Sequence, residues 1–190
     1  MSINWFPGHM HKARKEIASV MDEVDVIIEV IDARLPQSSE NPLVDTLRKG
    51  KPRLKLLNKS DLADDKRTAE WLEYFNSLPE TTAMSLDYTQ KKLINRITDI
   101  CKQMVPSRSN SDRPVRAMIM GIPNVGKSTL INALLGRKIA KVGNEPAVTK
   151  SQKRFTTKNG MALSDTPGIL WPKIEDKDSG YRLAASGAIK

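Results

Sequence analysis

A phosphate-binding pattern stands in the second half of the chain. Residues 121–128 read GIPNVGKS and fit G-x-x-x-x-G-K-[ST]. The two glycines would let the backbone wrap closely around phosphate oxygens, and the helix expected from about Lys127 would add its N-terminal dipole. Lys127 would reach the β- and γ-phosphates, and Ser128 would bind Mg²⁺. A glycine-containing turn before an ordinary helix is the alternative interpretation.

A second pattern could select a purine. Residues 58–61 read NKSD. The Asp61 carboxylate can accept from the ring N–H and the amino group of guanine, and adenine has no donors in that arrangement. A site built on such a pair can reject a mismatched analogue by roughly 10⁴–10⁵. Asn58 would contact the purine or tie loops together, and Lys59 would lie along the base. An Asx-type turn capping the next helix is the alternative.

A third pattern has the chemistry of a nucleotide switch. Residues 165–168 read DTPG, so Asp165 offers a carboxylate beside the metal and Gly168 an amide for the γ-phosphate. Thr149, in the segment EPAVTK, is the candidate residue that closes on Mg²⁺. Together the motifs predict a guanine-nucleotide switch. ATP is the rival ligand, and Asp61 argues against it.

The elements that must position these motifs alternate along the chain. Strands are expected at residues 26–31, 53–57, 81–85, 115–120, 154–157 and 161–164. Helices are expected at residues 9–24, 41–49, 64–78, 93–105 and about 127–137. This alternation predicts an α/β fold with a mostly parallel sheet and helices on both faces. NKSD, the phosphate loop and DTPG each follow a strand, so they should meet at one edge of the sheet.

Composition narrows the class of protein. The chain has 190 residues, a net charge of +9 and a sequence pI of about 9.7, which favours a polyanionic or acidic partner. Cys101 is the single cysteine, so no disulfide forms within the chain, and its helical neighbours predict a buried position. No stretch is long enough for a membrane span, and the N-terminus lacks a signal-peptide pattern. We expect a monomeric cytoplasmic protein without a structural metal site.

The order of the motifs resembles a known family. WFPGHM near the start, DARLP after the first strand, NKSD, GIPNVGKS, Thr149 and DTPG resemble the circularly permuted ribosome-assembly GTPases of the RbgA/YlqF type. The resemblance implies a P-loop GTPase domain whose base-reading motifs precede its phosphate motifs. Residues 1–24 would form an N-terminal helical segment, residues 25–105 the base-recognition half, residues 106–114 a linker, and residues 115–190 the phosphate-loop and switch half.

The resemblance also implies a set of functional residues. The nucleotide contacts would be Asn58, Lys59, Asp61, Ser85, Asn124, Val125, Gly126, Lys127, Ser128, Thr129 and Gly168. The Mg²⁺ ligands would be Ser128, Thr149 and Asp165, and the catalytic residues Lys127, Thr149, Gly168 and His9. The base-supporting loop reads Ser85-Leu86 where the family usually has Ser-Ala, and the first switch has Ala147 where glycine is common.

Hydrolysis is the least determined part of the prediction. Ile169 follows the DTPG glycine, at a position where many small GTPases use glutamine to orient water. We therefore expect slow intrinsic turnover that a partner accelerates. Asn124 could hold K⁺ against the phosphates, or it could only shape the loop. His9 could orient or deprotonate water, or it could be an ordinary surface histidine, with His11 the less favoured candidate.

The expected partner is the precursor of the large ribosomal subunit and its rRNA. Family members continue into a helical C-terminal domain thought to contact rRNA, whereas this chain ends at Lys190. Candidate phosphate contacts are three basic clusters, at Lys12, Arg14 and Lys15, at Arg48, Lys49, Lys51, Arg53 and Lys55, and at Lys150, Lys153, Arg154 and Lys158. The alternatives are a nucleotide-gated RNA-binding scaffold with incidental hydrolysis, and a GTPase that acts on another structured RNA.

Overall fold

The computed structural model describes residues 3–4, 8–109, 113–138, 153–166, 173–174 and 176–189. The described strands are β1 Ile3–Asn4, β2 Val26–Asp32, β3 Arg53–Asn58, β4 Thr81–Leu86, β5 Arg116–Met120, β6 Lys153–Thr156, β7 Ala162–Asp165 and β8 Lys173–Ile174. The described helices are α1 Gly8–Val20, α2 Pro36–Ser39, α3 Pro42–Arg48, α4 Asp65–Asn76, α5 Lys91–Met104, α6 Pro106–Ser109, α7 Lys127–Leu135 and α8 Lys177–Ala185. Short 3₁₀ turns cover Met21–Glu23 and Ser60–Leu62.

Six strands form the central sheet in the spatial order β4-β3-β2-β5-β7-β6. Five of them are parallel, and β6 pairs antiparallel with β7 at one edge. The pairing of β2 with β5 joins the base-recognition half to the phosphate-loop half. A separate antiparallel pair joins β1 to β8. The carboxyl ends of the parallel strands therefore meet at one edge, as the alternating pattern predicts.

The residues of β2 explain why it occupies the middle of the sheet. All seven are buried, and the β-branched majority packs well on a pleated surface. Ile28 lies in the core beneath α5, α7 and α8, whereas Ile27 packs with residues of α1 and α3. Successive side chains of a strand point to opposite faces, so this one strand anchors both layers of helices.

Most predicted elements are confirmed, with end points that shift by a few residues. The short helix α2 was not predicted, because residues 32–36 were treated only as the end of a strand. Residues 106–114 were predicted as a linker of turn formers, and the structure has α6 in its first four residues. The Arg108 side chain donates to Asp25 at 3.1 Å, which fixes this helix at the amino end of β2.

A further prediction concerns the burial of the single cysteine. Cys101 is fully buried in the core, and burial raises the pKa of its thiol to about 12. It therefore packs as a small apolar side chain, as predicted.

Within the described residues, no helix combines the length and the apolar character needed to cross a bilayer.

Candidate nucleotide-binding site

The phosphate loop leaves β5 in contact with the neighbouring strand. Gly121 has a φ of +150°, and a Cβ atom there would lie 2.4 Å from the carbonyl oxygen of Val30. Only glycine fits such an approach. The loop ends at Gly126, the N-cap of α7, which has no side chain to occupy the first amides of the helix. Those amides keep their capacity to bind an anion.

Lys127 is held inside this loop. Its side chain is buried, and Nζ donates to the carbonyl oxygens of Gly121 at 3.0 Å and Ile122 at 2.7 Å. Burial lowers the pKa of the ammonium to about 8, although the nearby Asp165 carboxylate acts in the opposite direction. A desolvated ammonium gains strongly from a nearby anion, so its position suits a phosphate ligand.

Asn58 joins the NKSD motif to the phosphate loop. Its Nδ2 donates to the carbonyl oxygen of Val125 at 2.6 Å. A Cβ atom at Gly126, where φ is +103°, would lie 2.2 Å from the same nitrogen. The Tyr88 hydroxyl, in the loop after β4, donates to the carbonyl oxygen of Gly126 at 3.3 Å. The NKSD motif and the loop before α7 are therefore packed directly against each other.

Lys59 makes the second connection between the two motifs. Its Nζ donates to the Asp32 carboxylate at 2.8 Å and to the carbonyl oxygen of Asn124 at 3.0 Å. The residue has a left-handed backbone with φ of +60°, an uncommon conformation outside glycine. These two bonds direct the lysine stem across the edge of the sheet, where the sequence predicts that it lies along a purine.

The remaining base-reading candidates stand at the same edge. Asp61 is exposed in the 3₁₀ turn after β3, so its carboxylate is accessible to a ligand. Ser85 lies within β4, one residue before the strand ends, and is paired in register with Leu57. Its neighbour Leu86 is buried in the core, which explains how leucine is accepted where the family usually has alanine.

Two of the three metal-binding candidates, Asp165 and Ser128, lie near Lys127. Asp165 is the last residue of β7 and is buried, and Ser128 is the second residue of α7. Thr166 donates to the carbonyl oxygen of Ile119 at 2.7 Å and so fastens the start of DTPG to β5. The hydroxyl and carboxylate oxygens are the hard donors that Mg²⁺ prefers. Within the described residues, no three His, Cys, Asp or Glu side chains form a metal cluster.

The structure describes only some of the other predicted site residues. Thr129 follows Ser128 on α7 and is half-buried. His9 lies in α1, and the structure describes the side chains of that helix from Arg14 onward. Thr149 and Gly168 lie outside the described residues.

Asn124 has a partner that the sequence did not suggest. Its Nδ2 donates to the carbonyl oxygen of Gly187 at 2.7 Å, and its backbone is left-handed with φ of +59°. Gly187 follows α8, whose Leu183 is buried in the main core, as are Ala188 and Ile189 beyond it. The segment after DTPG thus returns to the phosphate loop.

Two members of the basic cluster that precedes NKSD, Arg53 and Lys55, are buried and so do not face RNA as predicted from the sequence. Arg53 and Lys55 are buried in β3, where Glu29 Oε2 lies 3.1 Å from Arg53 Nη1 and 3.2 Å from Lys55 Nζ. Lys55 also pairs with Glu40. Burying a cation without a partner is costly, and these partners come from neighbouring elements that a linear pattern of positive charge does not reveal.

The other members of that cluster are bonded within the protein as well. Lys51 donates to the carbonyl oxygen of Val24 at 2.6 Å, and Arg48 donates to that of Lys51 at 2.8 Å. Lys49 pairs with Asp22 at 3.0 Å. In the third cluster, Arg154 pairs with Glu23 at 2.9 Å.

Three further polar residues lie at this edge and were not predicted there. Asp32 and Arg34, in DARLP, and Tyr88 all lie in or directly after strands that end beside the motifs. The available signal was position, since polar residues that immediately follow parallel strands meet at the ligand edge.

Comparison with known proteins agrees with this geometry. The family described as 50S ribosome-binding GTPase matches residues 116–188. The whole chain aligns at 46% identity with ribosome biogenesis GTPase A of Priestia megaterium and covers 68% of that protein. With ribosome biogenesis GTPase A of Thermotoga maritima, the identity is 35% over 98% of the chain and 66% of the relative.

A solved structure is also similar. The crystal structure of GNP-bound YlqF from T. maritima superposes with a TM-score of 0.67 and 31% sequence identity, over 94% of this chain and 66% of that one. The chain spans about two thirds of the length of these relatives. The fold is therefore a P-loop GTPase domain with the permuted order of its family.

Proposed function

The chain belongs to the ribosome biogenesis GTPase A family, and we propose that it binds and hydrolyses GTP and docks in a nucleotide-dependent way on a precursor of the large ribosomal subunit. The observation that carries the nucleotide part is the 2.6 Å bond from Asn58 to the Val125 carbonyl oxygen. It brings the guanine-selective motif against the phosphate loop. The bound GNP of the T. maritima neighbour supports the same ligand class.

Each part of the site has a separate task in this proposal. Asp61 accepts from the guanine edge, Lys59 lies along the base, and Ser85 contributes a backbone amide to the guanine oxygen. The amides of Val125, Gly126 and Thr129 surround the phosphates. Lys127 turns from its loop carbonyls to the β- and γ-phosphate oxygens. Its buried ammonium stabilises the negative charge that develops during phosphoryl transfer.

The metal would be held by Ser128, Asp165 and Thr149 together with phosphate oxygens. Bound Mg²⁺ would neutralise charge on the β- and γ-phosphates. Gly168 would offer its amide to the γ-phosphate, and Thr149 would close over the same group. These two residues couple the presence of the γ-phosphate to the two switch segments.

The group that orients the attacking water remains a choice between two residues. His9 is one candidate, because a neutral imidazole can accept a proton from water. Asn124 is the other, through a K⁺ ion placed against the phosphates and bound by its Oδ1, since its Nδ2 donates to the Gly187 carbonyl oxygen. A GTPase rate that is equal in K⁺ and in Na⁺ would remove the ion from the proposal. Normal partner-stimulated turnover by His9→Ala would remove the histidine.

We assign the particle to the large ribosomal subunit because the matched family is described as binding the 50S ribosome. Exposed cations on the described surface include Arg14 and Lys15 of α1 and Lys158 of the β6–β7 turn. Contacts between such groups and RNA phosphates would weaken steeply as salt concentration rises. The protein would act as a cytoplasmic monomer whose turnover is slow alone and faster on the particle.

Sedimentation with purified particles tests this function. The protein is centrifuged with large-subunit precursors, with small subunits and with tRNA, each in GDP and in a non-hydrolysable GTP analogue. We expect it to sediment with the large-subunit precursor, and more strongly with the analogue. Equal sedimentation in both nucleotides would contradict nucleotide-dependent docking. Preferential binding to tRNA or to small subunits would contradict the choice of partner.

A further inference from the structure

The carboxylate of Asp32 is the centre of a small charged cluster at the edge of the sheet where the NKSD motif lies. Asp32 ends β2, and its side chain is only 2% exposed. Oδ1 accepts from the backbone N–H and from Nε of Arg34 at 3.1 and 2.9 Å, and Oδ2 accepts from Nη2 of Arg34 at 2.7 Å. Oδ2 also accepts from Lys59 Nζ at 2.8 Å. One buried carboxylate therefore fixes two cations.

The register of the sheet places this cluster beside the base-selective carboxylate. Asp32 is paired with Asn58 across β2 and β3, so Arg34 leaves one strand next to the loop in which Asp61 leaves the other. The hydrogen bonds to Asp32 raise the pKa of the Arg34 guanidinium, and attraction to Asp61 adds to that rise. The Arg34 guanidinium is thus hydrogen-bonded to Asp32 and is also attracted electrostatically to Asp61.

A guanidinium that was not held in this way would compete with guanine. Its fork of N–H donors matches a carboxylate in a bidentate pair, and guanine offers Asp61 two N–H donors in a similar arrangement. The two ligands would use the same oxygens. The discrimination of guanine thus depends on where the Arg34 side chain is kept.

We propose that Asp32 is a positioning residue for guanine recognition, and that it holds Arg34 away from Asp61 so that the Asp61 carboxylate stays open to the base. This inference rests on the proposed binding of guanine nucleotides. Asp32 also holds Lys59, but the lysine stem would contact any purine. Loss of the Lys59 position should weaken all purine nucleotides alike, whereas release of Arg34 should weaken guanine in particular.

The test compares GDP with ADP, whose base offers Asp61 no N–H donors in the guanine arrangement and so does not compete with Arg34 for its oxygens. Both affinities are measured by calorimetry on the wild-type chain, on Asp32→Asn and on the double variant Asp32→Asn/Arg34→Ala. We expect Asp32→Asn to reduce the ratio of GDP to ADP affinity by about tenfold, the effect of about one charged hydrogen bond. The double variant should recover the ratio, because the competing guanidinium is gone.

Two further variants keep the result interpretable. Arg34→Ala alone should leave the GDP to ADP ratio unchanged, and it tests the idea even if Asp32→Asn does not fold. Asp25→Asn is the matched control, since Asp25 precedes the same strand at its opposite end and also binds two arginines, Arg108 and Arg116. It should lower stability and leave the ratio unchanged.

The proposal is overturned if Asp32→Asn weakens GDP and ADP by the same factor, or if the double variant fails to recover the ratio. A lower ratio in Arg34→Ala would also overturn it, because Arg34 would then contact guanine itself. Failure of the proposed function looks different: the wild-type chain would not bind GDP at all.

Discussion

The side-chain amide of Asn58 donates a 2.6 Å hydrogen bond to the carbonyl oxygen of Val125, 67 residues further along the chain. Asn58 ends β3, and Val125 lies in the loop after β5, with β2 between the two strands. Asn58 is buried, and its Oδ1 has no hydrogen-bond partner among the described residues. We therefore expect the affinity for the base and the affinity for phosphate to depend on the same side chain.

Replacement of Asn58 tests that dependence. Asn58→Ala leaves the Val125 carbonyl oxygen without its donor, a loss that typically costs about 1–3 kcal/mol. We expect GDP affinity to fall by roughly 10- to 100-fold and the free energy of unfolding to decrease, as measured by calorimetry and urea titration.

Asn76→Ala is the matched control for that prediction. Asn76 also bonds backbone groups through its side-chain amide, with Leu72 and with Ala83, but it ends α4 and joins that helix to β4 rather than to the phosphate loop. It should lower stability without changing GDP affinity. An Asn58→Ala variant that lost only stability would show that the contact has no part in nucleotide binding.

Gly126→Ala should abolish nucleotide binding. A methyl group there would lie 2.2 Å from Asn58 Nδ2, at a φ of +103°, so either Asn58 or the start of α7 must move. Gly160→Ala is the control, because Gly160 also has a positive φ, of +76°, and nothing lies within 4 Å of its Cβ position. That variant should cost about 1 kcal/mol of stability and bind GDP normally. Normal GDP binding by Gly126→Ala would contradict the close packing of the two loops.

The buried ammonium of Lys127 should destabilise the nucleotide-free fold in a pH-dependent way. Its folded pKa of about 8 lies below the ordinary value of 10.5, so the unfolded chain binds this proton more tightly. The contribution to stability therefore rises with pH between those two values and is constant at lower pH. Lys127→Met should be the more stable protein near neutral pH and should bind nucleotide poorly.

Urea titrations of both proteins across this pH range provide the measurement. The stability advantage of Lys127→Met should shrink by about 3 kcal/mol as the pH rises from about 7 to about 11. Cys101 and Tyr88, whose pKa values burial raises, are present in both proteins and cancel in the difference. Parallel pH profiles would show that Lys127 is not desolvated.

Glu29→Gln should be strongly destabilising. The change removes the buried anion that faces Arg53 and Lys55, and leaving buried cations undercompensated costs about 3 kcal/mol. Burial raises the pKa of Glu29, because desolvation disfavours the ionised carboxylate. Glu70→Gln, in the exposed pair with Arg67, should change the unfolding free energy little. Similar urea midpoints for the two variants would contradict a structural role for the buried network.

The sequence predicted the fold well where local patterns decide it. VIIEVI forms β2 because its β-branched residues are buried on both faces. GIPNVG forms the loop between β5 and α7, where Gly121 and Gly126 adopt positive φ angles that other residues rarely adopt. The convergence of NKSD and GIPNVGKS followed from the rule that parallel strands end at one edge. Chain order is irrelevant to that rule, so the permuted order does not disturb the prediction.

Contacts between residues that are far apart in the chain could not be predicted from the sequence. Arg53 and Lys55 were expected to face RNA, and their anionic partners Glu29 and Glu40 lie on other elements. The bond between Asn124 and Gly187 depends on the path of the chain after DTPG, which no local pattern specifies. Positive charge along a sequence does not distinguish an exposed cluster from a paired and buried one.

Nucleotide selectivity of the purified chain tests the central claim most directly. GDP and ADP affinities are measured by calorimetry for the wild-type chain and for Asp61→Asn, in Mg²⁺. The proposed single site predicts that the wild-type chain prefers GDP by roughly 10⁴-fold or more and that Asp61→Asn loses most of this preference. Equal affinities of the wild-type chain for GDP and ADP would contradict the assignment of NKSD and GIPNVGKS to one guanine-nucleotide site.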